Sequence, residues 1–373
     1  MRAVVEHLSN LIRIPSVSSL SNRPIIDYAI RVLHRARWQS REIIYRDSAG
    51  IEKVNLVAAP AGQSLDGAIE LALVCHTDTV PYSEKWPDAL VPLVADGLLH
   101  GCGACDVKGF LACLLTAIIE VDSSRCIDGL QIILTADEEI GCVGATQLAK
   151  SGLNPKRVVV GEPTSIHPAR AGKGYCLGEI TVFGNEAHSA HPQEGRSAIY
   201  RAARFITAIE EYGLLLAEQQ HPFFSPGFTT LNIGTIQGGT AKNIVPGDCR
   251  FLFEWRPIPG QATDTVPRGV SRIADNLRHA DPDFEYKFQV IRQQDGFESG
   301  ASCGLVRSIE ASTGRAATSI PFGSEASILA SMAEEVVVFG PGDMQTAHSS
   351  RECVPLSELD EAVTCLQSLM KNG

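Results

Sequence analysis

The sequence predicts an α/β fold: a large domain with a mostly parallel sheet and helices on both faces, interrupted by a smaller α+β domain. Three observations lead there. Short apolar runs of strand length alternate with helical stretches over the first part of the chain. Near Gly172 the texture changes to strands flanking one long helix, and after about Glu285 it changes back. Alternating strands and helices favour a parallel sheet, because parallel neighbours need a crossover long enough to hold a helix. The expected division is 1–171 with 286–373 for the large domain and 172–285 for the insert.

The opening stretch, MRAVVEHLSNLIRIPSVSSL, has the basic start of a signal peptide, but Glu6, His7 and Arg13 interrupt any apolar region. It reads as an amphipathic helix ending near Ile14-Pro15. IELALVC (69–75), QIILTA (131–136) and RVVVG (157–161) are strand-like in length and composition. KGFLACLLTAIIEV (108–121) is too long for a strand and reads as a buried helix. In the insert, YCLGEITVFG, TTLNIGTIQGG and CRFLFEWRPI read as strands around the helical SAIYRAARFITAIEEYGLLLAE. EEVVVFG (334–340) is a further buried strand, and a helix from Leu356 closes the chain.

At 373 residues, 44% hydrophobic and 20% charged, the chain has the composition of an ordinary globular protein with room for two domains. A net charge of −11 argues against nucleic acid as a partner, because phosphate binding needs a basic face. No apolar run reaches the roughly 20 residues of a membrane helix. Eleven cysteines, an odd number scattered over a long chain, suit a reducing compartment, and the cytoplasm is the expected location.

The chemistry is concentrated at strand ends. The run 69–75 leads into His76-Thr77-Asp78, the run 131–136 into Asp137-Glu138-Glu139, and the run 157–161 into Glu162. The run 334–340 leads through a Gly-Pro-Gly turn towards His348. Open α/β sheets bind ligands beyond the carboxyl ends of their strands, so these groups should converge on one crevice. Crowded carboxylates repel unless a cation neutralises them. Two histidines with several acids suit a borderline metal such as Zn²⁺, with Co²⁺ or Mn²⁺ as substitutes.

HTDTVP, GCGACDVKG, DEEIG, GEPT, AHSAHPQEGRSAI and a late histidine follow one another between about residues 70 and 350. In kind and order they resemble the motifs of the M20 metallopeptidases, a family of deacylases and peptidases built as a catalytic α/β domain interrupted by a lid. The resemblance implies two zinc ions bridged by Asp106, with His76 and Glu162 completing one site and Glu139 and His348 the other. It implies Asp78 as the partner that orients His76 and Glu138 as the general base. His188 takes the position of an oxyanion donor supplied by the lid of a second subunit, while His191 reads as a surface or structural histidine. A homodimer through the lid helix is the family expectation.

Membership implies hydrolysis of an amide between an acyl group and an amino acid, so the expected partner is a small N-acyl amino acid. TLNIGTIQGGTAKNIVPGDCRFLFEWRPIPG and PFGSEASIL are most similar to the branch that deacetylates N-acetylornithine. There Arg256 would clamp the α-carboxylate, with Asn243 and Lys173 also touching substrate. Glu325 is expected to meet a cationic side-chain end, and its plain reading is an acid in a first helical turn. Other deacylases, a dipeptidase, or a catalytically silent protein on the same scaffold are the competing readings.

Cys102 and Cys105 flank the stretch that ends in Asp106. No second Cys-x-x-Cys completes a structural zinc site. Cys102 stands where the family usually has arginine, and a thiol beside the metal ligands suggests oxidation-sensitive activity.

Overall fold

The structure, a computed structural model, describes residues 2–373. It divides into two units: 1–171 with 298–319 and 324–373, and 172–297 with 320–323. The long segment of the second unit therefore runs to Phe297, past the expected boundary at residue 285. The reason is the strand Glu285–Gln294, which pairs antiparallel with Tyr175–Phe183 and completes the second unit's sheet. Most of its residues stay solvated, so its polar sequence gives no apolar run to mark it.

In the first unit the strands lie in the order Trp38–Arg46, Glu52–Pro60, Leu130–Thr135, Ile69–His76, Pro155–Gly161, Glu335–Phe339, Ala169–Gly172. The four strands Leu130–Thr135, Ile69–His76, Pro155–Gly161 and Glu335–Phe339 pair in parallel. The outer strands pair antiparallel. Both faces are covered. Leu71, Leu73 and Cys75 join the cluster that holds Phe110, Leu111, Leu114 and Ile118, whereas Ala72 and Val74 point to the opposite face and are equally buried. That doubly buried state explains why these strands read as unbroken apolar runs.

The helix Lys108–Glu120 buries every residue from Lys108 to Ile118 and packs against the helices Ala3–Ile12 and Leu356–Asn372. Its first turn touches the loop before it so closely that a Cβ on Gly109 would fall 2.4 Å from the Ala104 carbonyl oxygen. Glycine is required at that position, and the contact draws the loop 101–106 down onto the helix.

The second unit is an antiparallel sheet in the order Thr230–Gly238, Asp248–Arg256, Tyr175–Phe183, Glu285–Gln294. Cys249, Phe251, Phe253 and Trp255 alternate inward and meet Phe205 and Ile209 of the helix Ala198–Leu216 and Val266 and Val270 of the helix Thr265–Ala280. Ser197 caps the first of these helices, its Oγ accepting from Tyr200 N–H at 3.3 Å.

Candidate active site

The parallel strands of the first unit end together, and each delivers an acid or a histidine there. Thr77 ties two of the ends by donating to the Thr135 carbonyl at 2.7 Å. Asp106 receives contacts from both histidines: His76 Nε2 lies 3.1 Å from its Oδ1, and His348 Nε2 lies 3.0 Å from its Oδ2. Glu162 Oε1 stands 4.0 Å from His76 Nε2, and Glu139 Oε2 stands 3.3 Å from His348 Nε2.

Two sets of side chains that could each hold a metal ion result. His76, Asp106 and Glu162 form one, and Asp106, Glu139 and His348 form the other, with the donor atoms of each set within 4.8 Å of one another. Asp106 belongs to both. Burial pushes the Glu162 carboxyl well above its usual range, and the charge of Asp106 adds to it. Burial also pushes Glu138 up to about 7, opposed by His76 and reinforced by Glu139 and Asp106. Glu139 Oε1 is buried without a hydrogen-bond partner. Three carboxylates crowded with two imidazoles, one oxygen of them unpartnered, are the donor set that a pair of divalent cations would satisfy.

The description of the peptidase family M20/M25/M40 matches residues 72–372. The chain belongs to this family. The acetylornithine deacetylase of Myxococcus xanthus is 44% identical over 354 residues, covering 94% of this chain and 92% of the relative. Aminopeptidase PepT of Bacillus cereus has the same fold, with a TM-score of 0.77 at 20% identity, over 99% of this chain and 97% of the other. A Bacillus subtilis protein described as a dinuclear metal-binding peptidase of the M20 family aligns with a TM-score of 0.73 at 14% identity, over 99% and 96%. Membership makes the chain a hydrolase of carbon–nitrogen bonds.

Asp78 does more in this M20 chain than hold a histidine. His76 Nδ1 lies 3.1 Å from the Asp78 backbone carbonyl and 3.6 Å from its carboxylate. The carboxylate also accepts from Ser18 Oγ at 2.6 Å, Glu138 N–H at 3.1 Å and Glu139 N–H at 3.3 Å. Asp78 thus stays paired with His76, as expected, and also clamps the Glu138-Glu139 turn. Asp137 begins that turn with a left-handed backbone, φ 59°. Its carboxylate accepts from Lys53 Nζ at 2.7 Å and Tyr45 Oη at 2.9 Å. Lys53 is buried and also donates to the carbonyls of Ser18 and Leu20. A lysine inside the apolar strand EKVNLVAAP was the signal available for this network in the sequence.

Glu325 is fully buried, its Oε2 accepting from Thr135 Oγ1 at 2.9 Å and its Oε1 unpartnered. Burial pushes it up to about 8. A carboxyl closed off from solvent and bonded to a strand end does not offer itself to a substrate ammonium, so the expected pairing is not what the structure presents. Nor does Glu325 cap the short helix Ala326–Leu329 with its side chain.

The remaining expected residues lie in the second unit. His188 sits on a two-residue ribbon paired with Ile244–Val245, and Ser189 N–H donates to the Asn243 carbonyl at 3.0 Å. His188, His191 and Asn243 are exposed. Arg256 ends its strand with Nε 2.8 Å from Glu254 and its guanidinium 4.7 Å from the Tyr175 ring centre, whose ring Arg292 also approaches at 4.6 Å. Lys173 is buried, donates to the Phe228 carbonyl at 2.6 Å, and is pushed down to about 8 by burial and the charge of Arg256. It is an internal lysine, neither the exposed one nor the free substrate contact that its motif suggests.

The cysteine pair also reads differently. None of the eleven cysteines is in a disulfide. Burial pushes Cys102 up to about 11 and Cys105 well above its ordinary value, with the charge of Glu352 adding to both. Reactivity follows the thiolate, so this burial works against the oxidation sensitivity expected of the pair.

Proposed function

We propose that the chain is a zinc-dependent amidohydrolase that converts N-acetylornithine to ornithine and acetate. The observation that carries this reading is 44% identity to an acetylornithine deacetylase over nearly the whole of both chains. His76 and Glu162 would hold one metal, Glu139 and His348 the other, and Asp106 would bridge them, with Co²⁺ or Mn²⁺ able to substitute. Bound metal supplies Lewis acidity towards the amide carbonyl and acidifies a water.

Glu138 takes the proton of the attacking water and passes it to the departing amine nitrogen as the acyl carbon–nitrogen bond breaks. Its position is set by Asp78, which holds its backbone N–H. Placing base and ligand side by side in sequence lets one turn serve both tasks. Arg256 is proposed to bind the α-carboxylate, Asn243 to contact the substrate as well, and His188 to donate to the oxyanion. We place the protein in the cytoplasm, in ornithine supply for arginine synthesis. No helix among the described residues is long and apolar enough to cross a membrane.

A homodimer through the second unit belongs to the same reading. Leu214 and Leu215 of the helix Ala198–Leu216 and Ile236 of the edge strand Thr230–Gly238 are exposed. A cavity of about 460 Å³ lined by Ile206, Leu214, Phe228 and Leu231 lies between that helix and strand. Apolar helix and unpaired edge together are what a second copy would cover.

Ninhydrin detection of ornithine released from N-acetylornithine, read beside the metal content of the same sample, tests the function. The expected result is metal-dependent release that exceeds the rates on N-succinyl amino acids and dipeptides. Two bound zinc ions without amide hydrolysis would favour a silent binding protein, and a faster rate on another acyl amino acid would reassign the substrate.

A further inference from the structure

The loop 101–106 carries Asp106, and the loop 343–352 carries His348. One buried carboxylate, Glu352, fastens them to each other. It is 2% exposed. Its Oε2 accepts from Gly103 N–H at 3.0 Å, and its Oε1 accepts from both Cys105 N–H and Asp106 N–H at 3.1 Å. The Cys105 thiol approaches the same Oε1 at 3.6 Å. Glu352 also takes part through its backbone, its carbonyl accepting from Gly101 N–H at 3.3 Å and its N–H donating to the Ser349 carbonyl at 3.0 Å.

The loop is shaped for this anion. Gly103 has φ 80°, the left-handed conformation that turns successive N–H groups towards a common point. A Cβ there would fall 2.7 Å from Lys108 Cδ, so any other residue would be strained and would displace that lysine. Lys108 is itself buried and donates to the Ile14 carbonyl at 2.9 Å, placing a cation near the clamp. Just beyond Glu352 the strand Cys353–Pro355 pairs with Leu98–His100, just before the loop. The two loops are thus strapped at their bases by a sheet and, directly beside it, by one side chain.

From this arrangement we infer that Glu352 is a positioning residue for the metal centre, setting the Asp106 carboxylate and the His348 imidazole at their mutual distance. It ligates nothing itself, because both of its oxygens face backbone N–H groups. The inference rests on the two-metal reading above and adds to it the group that fixes the bridge. It also gives the cysteine stretch its purpose: the backbone of residues 103–106 is an anion cradle, and the Cys105 side chain lies along its rim.

The test compares the holoenzyme with Glu352→Gln and Glu352→Asp. Glutamine keeps the shape but sets an amide N–H₂ against backbone donors. Zinc retention against a competing chelator should fall about 10- to 100-fold, the loss typical when a ligand's supporting hydrogen bond is removed. The visible absorption of the Co²⁺ form should change, and kcat should fall with KM little altered. Glu352→Asp, which keeps both acceptors, should recover part of each loss, and it carries the test if the glutamine variant does not fold. A variant with lowered melting temperature but unchanged zinc retention and Co²⁺ spectrum would make Glu352 a structural filler and overturn the inference. Wild-type protein that fails to hold two zinc ions would overturn the metal reading, and the inference with it.

Discussion

The turn Asp137–Glu139 and the ribbon that carries His188 are both expected to act on the substrate, yet the chain holds them in opposite ways. The turn is fixed from four directions. Asp78 accepts the N–H groups of Glu138 and Glu139, Ser18 fixes Asp78, and Lys53 and Tyr45 fix Asp137. The ribbon is two residues long, and the exposed His188 imidazole accepts one hydrogen bond, from Ala190 N–H at 3.1 Å. Groups that hold metal and move protons must be preset to within fractions of an ångström, whereas groups that meet a substrate can be ordered by it. Changes in the first unit should therefore cost chemistry or stability, and changes in the second should cost binding.

Removing the proposed base sharpens this contrast most. Glu138→Gln should lower kcat by about 10²- to 10⁴-fold while both metals stay bound, read from steady-state rates and metal analysis on one sample. Loss of metal with the activity would place Glu138 among the ligands instead. Next is the support beneath the turn. Lys53→Met leaves Asp137 buried without its cation and should cost about 3–5 kcal/mol in urea denaturation. Adding Asp137→Asn should restore part of it. An unchanged midpoint would mean that Lys53 does not brace the turn.

The second unit supplies the smaller effects. Arg256→Ala should raise KM about 10- to 100-fold, the worth of a charged hydrogen bond, with kcat far less affected. A dominant fall in kcat would break the comparison, since it would give the second unit a share in the chemistry. Smallest of all is the effect expected of a thiol reagent. Of the eleven cysteines, only Cys126 and Cys353 are even partly exposed, so native alkylation should stop at these two with activity retained. Labelling of Cys102 or Cys105 in the folded protein would reopen their case.

The strands, the buried helix and the acids at the strand ends were legible because each is a local pattern: an apolar run of fixed length followed by a polar stop. The clustering of these acids and histidines was expected only from the resemblance, since no spacing in the sequence says that Asp106 touches both His76 and His348. What stayed hidden depends on contacts between distant segments. Glu352 looks like a turn residue until Gly103, Cys105 and Asp106 are folded against it. Lys173 and Glu325 look available until burial closes them. The strand Glu285–Gln294 is lost for the opposite reason, because a solvated edge carries too few apolar residues to announce itself.

The central claim is that Asp106 joins two metal ions at the ends of the parallel strands. A crystal of the zinc-loaded enzyme measured at the zinc absorption edge tests it directly. The account predicts two anomalous peaks about 3.5–4 Å apart, one beside His76 and Glu162, the other beside Glu139 and His348, with Asp106 bonded to both. A single peak, or two peaks that do not share Asp106, would contradict it.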